Sequence, residues 1–252
     1  MMQAIRFSSL GPAARYALVL FTALTLTQPC HSAAAQPLIG FPYTDEVLRY
    51  AISIPGGTVL GSGQLSARKA DAGWKFELTL QANIPGFDLK DNYGARANTD
   101  LCSAEFTKQF VHGAKKGNEK ETVDRSHATA TRITVDGGGK SEFSVPDCTK
   151  DALTFLFYAR QELGQGRVPP AQRVLFGGMY DVTLQYAGAQ TIEVAQKPVI
   201  TDEIVCTLEG VSSKAQFEIY FARDATRTPL LIKVPVANSN PQFGKFSMEL
   251  VR

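Results

Sequence analysis

"DALTFLFYARQELGQGRVPP", Asp151–Pro170, reads as a helix in a chain that otherwise reads as strands. At about 100° per residue, Ala152, Leu153, Phe155, Leu156, Phe157, Ala159 and Leu163 cover roughly 200° of a helix. An ordinary surface helix buries an arc nearer half that width. This helix is therefore expected to be long, apolar and enclosed on most sides. Asp147 or Thr149 is placed to cap its start, Gly164 to stop it, and Pro169-Pro170 to forbid continuation. Arg160 breaks the pattern by projecting near the middle of the apolar arc. A buried unpaired guanidinium costs several kcal/mol, so Arg160 must be paired or must reach solvent.

Outward from this segment, period-two alternation dominates. "GWKFELTLQA" puts Trp74, Phe76, Leu78 and Leu80 on one face and Lys75, Glu77, Thr79 and Gln81 on the other. "DEVLRYAISI" alternates in the same way, as half-buried antiparallel strands do. Turn signals at Pro55-Gly56-Gly57, Asp71-Ala72-Gly73, Asp136–Gly139 and Gly177-Gly178 separate such runs. About ten to twelve strands are expected on this count. Among the spacers, 147–166 alone is long enough for a helical crossover, which implies an antiparallel sheet. The expected fold class is mainly β: a single antiparallel β-barrel or curved half-barrel, with one long apolar α-helix packed against its interior or mouth. A closed sheet of this many strands is wider than its own side chains can fill, and the helix is the natural occupant.

The ends of the chain set its compartment. Arg6 and Arg15 precede or open the apolar run Tyr16–Thr27, which is shorter than the ~20 residues of a membrane-spanning helix. Ala33 and Ala35 supply an A-x-A cleavage pattern. Residues 1–35 therefore read as a signal peptide and 36–252 as one β-rich domain, periplasmic or secreted. Cys30 follows Thr27, Gln28 and Pro29, which is not a lipidation context. The chain has 26 basic and 24 acidic residues. Losing Arg6 and Arg15 balances the charges, so nothing points to nucleic acid. No second apolar run could span a bilayer. Lys115, Lys116, Lys120, Glu119 and Glu121 read as a solvated hairpin end.

Of four cysteines, Cys30 leaves with the signal. Cys102, Cys148 and Cys206 remain, an odd number in an oxidising compartment. Cys102 and Cys148 each sit at an element boundary, so their pairing is expected over either pairing with Cys206, which reads as a small buried apolar residue.

Catalytic and cofactor motifs do not assemble. His112 and His127 lack metal-ligand spacing and read as surface residues on hairpins. Ser62 in "LGSGQ" lacks a nucleophile-elbow context and reads as a turn serine. "DGGGKS", Asp136–Ser141, has Thr134 where a phosphate loop needs glycine, so it reads as a hairpin loop. No catalytic residue, metal ligand or cofactor is assigned.

"DALTFLFYARQELGQG", "YDVTLQYAG", the "D-x-x-R-x-P" step of Asp224, Arg227 and Pro229, and the opening "EVLRYAISI" resemble a family of exported bacterial proteins. That family is catalogued as domain of unknown function 3108, and the resemblance spans about residues 42–252. It implies a curved antiparallel sheet or barrel and carries no activity.

Two functions follow from the expected fold. In one, the protein is an envelope carrier whose helix leaves room for an apolar or amphiphilic small molecule. Arg160 then receives an acidic head group beside Phe157 and Leu153. In the other, the helix fills the core, Arg160 is paired within the protein, and a surface does the work of a structural or assembly protein. A hydrolase comes third, without a supporting constellation.

Overall fold

The computed structural model describes residues 45–84, 87–135, 137–235 and 245–251. The segment expected to be a signal peptide, residues 1–35 with Cys30, lies outside them. Asp136 of the glycine-rich loop does too.

The described residues form one fifteen-stranded sheet and one helix. The strands are β1 Glu46–Ser53, β2 Val59–Ala70, β3 Gly73–Ile84, β4 Phe87–Asn98, β5 Ser103–His112, β6 Lys115–Asp124, β7 Thr129–Thr134, β8 Lys140–Ser144 and β9 Lys150–Asp151. The helix α1, Ala152–Gly164, follows. Then come β10 Gln172–Leu175, β11 Met179–Val194, β12 Lys197–Glu209, β13 Lys214–Ala222, β14 Pro229–Pro235 and β15 Lys245–Val251. Neighbours run β8-β7-β6-β5-β4-β3-β2-β1-β15-β14-β13-β12-β11-β10-β9. Hairpins build each half, and β1 pairs with β15 to join the two ends of the chain at the centre.

The closed barrel is not realised, because the hydrogen-bonded order ends at β8 on one side and β9 on the other. The two ends meet through side chains instead. Leu175 of β10 packs with Ala130 of β7 and Val145. The expectation of a wholly antiparallel sheet is also corrected. β9 and β10 pair in parallel, Val174 with Lys150 and Leu175 with Asp151, and α1 is the crossover that parallel pairing requires.

The long helix is corrected to 13 residues, about 20 Å. It is nonetheless enclosed, since none of its residues is exposed. Leu153 and Phe157 join a cluster with Tyr50, Leu65, Trp74, Phe76 and Phe106. Phe155, Ala159 and Leu163 join a second cluster with Val182, Ile204, Ile219 and Phe221. The sheet therefore curls around α1 and packs on it from both halves. The rings of Phe157 and Phe76 stack with centroids 4.2 Å apart.

Both helix ends differ from expectation. Asp151, not Asp147 or Thr149, is the N-cap; its Oδ1 accepts from the Leu153 and Thr154 amides. The stop uses Gly166 at φ +74° rather than Gly164. Gly166 N–H donates to Leu163 and Arg167 N–H to Glu162, a Schellman closure that needs a left-handed residue.

Cys102 and Cys148 form a disulfide with Cα atoms 4.5 Å apart. It ties the start of β5 to the lead into β9 and α1. Beside it the Ser103 amide donates to the Thr149 carbonyl. Ser103 Oγ accepts from the Asp151 amide and donates to Asp151 Oδ2. The N-cap is thus itself held by the opposite part of the sheet. Cys206 is free and buried, and burial pushes its thiol up to about 12.

Closing a loop of 46 residues' separation contributes about 4 kcal/mol in the chain-entropy account. Cys148→Ser is expected to lower unfolding free energy by about that amount, and by more than Cys206→Ser. Denaturant unfolding measures both. Non-reducing peptide mapping should join the Cys102 and Cys148 peptides, and a bridge containing Cys206 would contradict the pairing.

Candidate functional site

Arg160 is fully buried, and its partners come from two distant parts of the chain. Nη1 and Nη2 donate to Glu46 Oε2 and Oε1 at 2.6 and 3.0 Å. Nε donates to the Thr226 and Arg227 carbonyls, and Nη2 to Thr226 as well. Its guanidinium carbon lies 5.1 Å from the Phe157 ring centroid. Tyr50, four residues along β1 from Glu46 and on the same face, donates its hydroxyl to the Pro229 carbonyl at 2.9 Å. Arg227 pairs with Asp202. Three of the four segments that carry the family resemblance, in β1, α1 and the 224–229 turn, therefore converge on one buried guanidinium. Of the two expected roles for Arg160, the geometry matches pairing within the protein. Phe157 and Leu153 lie in the packed cluster against Phe76 and Trp74.

The inner face also holds an acid that sequence reasoning placed in solvent. Glu121 is 1 % exposed, which corrects the expected solvated hairpin end. On β6 it alternates with Lys120, which pairs outward with Glu105, and stands opposite Phe106 and Arg132. The turn at Gly177, from the other half of the sheet, reaches this point: Arg132 Nη1 donates to the Gly177 carbonyl. Neither Glu121 oxygen has a hydrogen bond of ordinary geometry. Burial pushes its pKa up to about 7. The Gly177 amide opposes that rise, Glu119 adds to it, Arg132 opposes it and Asp151 adds to it. The alternation of Glu119, Glu121 and Val123 against Lys116, Lys120 and Thr122 was the available signal.

The outer face of β1–β4 carries a groove of about 540 Å³, within the range of small-ligand sites. Register aligns Val251, Arg49, Gln64, Thr79 and Asn92 across five adjacent strands. Ser62, Gln81 and Lys90 align in the next row. Ser62 is thus in mid-strand, not in a turn. Its flanking glycines have a structural reason. At Gly61 an added Cβ would collide with the Gln81 carbonyl, and at Gly63 it would press on Leu80. β2 can approach β3 this closely only without side chains there. Glycine inside a strand pattern marks such an approach, and that was the missed signal.

The histidines differ in setting. His112 Nε2 lies 2.7 Å from Asp91 Oδ1 on the inner face, and burial beside Asp91 raises the Tyr93 hydroxyl pKa. His127 pairs with Asp124 in the exposed β6–β7 turn. Among the described residues no group of three or more His, Cys, Asp or Glu could hold a metal ion, and no helix is long and apolar enough to cross a membrane.

Comparisons with known proteins speak to the family and the fold. A family model described as "Protein of unknown function (DUF3108)" matches residues 49–251. The structure is similar to a β-barrel-like protein of domain of unknown function DUF1849 from Brucella abortus. The TM-score is 0.57 at 8% identity, over 83% of this chain and 96% of that one. At that identity the likeness concerns the fold alone. A search of curated proteins finds no match.

The buried acid makes stability depend on pH. Unfolded, Glu121 loses its proton near the ordinary value of 4.5; folded, it keeps the proton to about 7. Between these values the unfolded state binds fewer protons, so stability falls as pH rises through the window. The group's contribution is complete below the unfolded value, and about 3 kcal/mol of it is gone above the folded one. Urea unfolding of wild type and Glu121→Gln at pH 5 and pH 8 isolates it. The wild type should lose about 2–3 kcal/mol more than the variant across this interval. Equal losses would contradict the assignment.

Proposed function

The chain belongs to the DUF3108 family of proteins of unknown function, and on that premise we propose that it is a binding module of the bacterial cell envelope, working through the outer groove of β1–β4 rather than at a catalytic centre. The groove is the observation that carries this reading: about 540 Å³, lined by the outward polar side chains of β1–β4 together with Tyr50, Gly63, Leu80 and Val251. Interior features favour a working surface over an internal carrier site. Helix α1 packs against both halves of the sheet, and the Arg160 donors go to Glu46 and the 226–227 carbonyls. An amphiphile seeking that guanidinium would have to displace the paired Glu46 carboxylate.

Export is part of the proposal. It is supported by the basic and apolar pattern of residues 1–35 and by a disulfide between Cys102 and Cys148, a bond that persists in oxidising compartments.

Filling the groove tests the reading. Ser62 is exposed in mid-strand, where β propensity tolerates an aromatic residue. An array of envelope saccharides and peptides should retain the wild-type protein on particular members. Ser62→Trp should abolish that retention while the melting temperature stays unchanged. Retention that survives the substitution would contradict the groove as the working surface. N-terminal sequencing of the exported protein should start near Gln36, and an intact Met1 would contradict export.

A further inference from the structure

The lining of the groove defines a ligand chemistry. Its two charged residues are both cations, Arg49 on β1 and Lys90 on β4, and no carboxylate lines it. One outward acid, Asp88, stands two residues from Lys90 on the same face of β4 but does not line the groove, and two others near in register are engaged elsewhere. Glu249 of β15 accepts from the Ala195 amide, and Glu77 of β3 pairs with Lys75 at 2.7 Å. Three strand spacings and a two-residue offset separate Arg49 from Lys90, on the order of 15 Å between their Cα atoms. Between them stand Gln64, Thr79, Gln81 and Asn92. Amides and hydroxyls both donate and accept hydrogen bonds, which suits a ligand whose hydroxyls do the same.

Other polyanions fit less well. Single-stranded nucleic acid is held by stacking on exposed aromatic faces, but Tyr50, the aromatic residue of the lining, is only 1 % exposed. An acyl chain needs an apolar trough. The apolar part of this lining, Tyr50, Leu80 and Val251, is not a continuous trough, because the outward rows of β1–β4 carry polar side chains across it.

We propose that the groove binds a linear acidic saccharide lying across β1–β4, with one carboxylate on the Arg49 fork, a second on Lys90, and the intervening sugar hydroxyls on Gln64, Thr79, Gln81 and Asn92. This deepens the groove reading and rests on it. Arginine holds a carboxylate through two parallel hydrogen bonds, whereas lysine acts as a point charge. Arg49 therefore fixes the orientation of the chain and Lys90 its reach. Binding weakens with added salt because both charges are exposed.

Calorimetric titration of the mature protein at low salt tests the inference. The probes are a galacturonate oligomer, a neutral glucose oligomer of the same length, and single-stranded oligothymidylate. The variants are Arg49→Gln, Lys90→Gln and Gln64→Ala, each checked by its melting curve. The galacturonate oligomer should bind, the other two should not, and each charge variant should weaken binding about tenfold, the loss expected for one charge-assisted contact. If the neutral oligomer binds as tightly and the Gln64→Ala variant alone matters, the acidic class is overturned while the groove stands. Preference for oligothymidylate overturns the saccharide. Absence of binding to either saccharide, or binding that all three variants leave unchanged, overturns the groove and the inference together.

Discussion

A guanidinium with no exposure to water must satisfy its donors inside the protein, and the fold is organised around how Arg160 does so. An unpaired charge there would cost several kcal/mol. Glu46 at the start of β1 and the Thr226–Arg227 carbonyls before β14 provide the partners. These belong to opposite ends of the sequence, brought together where β1 meets β15 and β15 meets β14. The ion pair therefore holds the helix, the first strand and the C-terminal strands in one arrangement. The Tyr50–Pro229 hydrogen bond fixes the same neighbourhood from the side. Three of the four segments that carry the resemblance to the family meet at this buried polar junction, and the fourth, in β11, packs its Val182 and Leu184 in the core beside α1.

The sheet can remain open because α1 provides what closure would have provided. Its apolar surface extends to both halves, so each half buries its inner face without a continuous ladder. Where β8 and β9 fail to pair, the ends are joined by Leu175, Ala130 and Val145, by the Arg132–Gly177 hydrogen bond, and by the disulfide. Glu121 sits at this join, which makes it the place where ionisation bears most directly on how the halves meet. The outer groove lies away from it, where glycines in β2 let two strands approach closely. Closure and recognition thus depend on different residues.

The fold was legible where one periodicity acted alone. In "GWKFELTLQA" the alternation of Trp74, Phe76 and Leu78 against Lys75, Glu77 and Thr79 survives intact as β3. The wide apolar arc of Asp151–Leu163 identified an enclosed helix, although not its length, because the enclosing comes from partners in both halves of the sheet. Cap identity was misread because Asp151 is selected by Ser103, 48 residues away, and local sequence does not contain that contact. Ser62 and Glu121 depart from the local pattern for related reasons. Glycines suggested a turn where they serve close packing, and a charged cluster suggested solvent where one face of the strand turns inward. The partner of Arg160 was out of reach from sequence, since Glu46 is 114 residues away.

The buried pair is tested most directly by a double-mutant cycle. Urea unfolding would compare wild type, Arg160→Met, Glu46→Gln and the double variant. Arg160 is fully buried and Glu46 only partly so; Glu46→Gln strands the buried guanidinium and should cost about 3–5 kcal/mol, and Arg160→Met, which leaves a carboxylate that water can reach, should cost less. The double variant should recover more than about 1 kcal/mol of the summed single losses. Single losses below about 1 kcal/mol, or losses that simply add, would contradict the account of Arg160 as the junction that holds helix and sheet together.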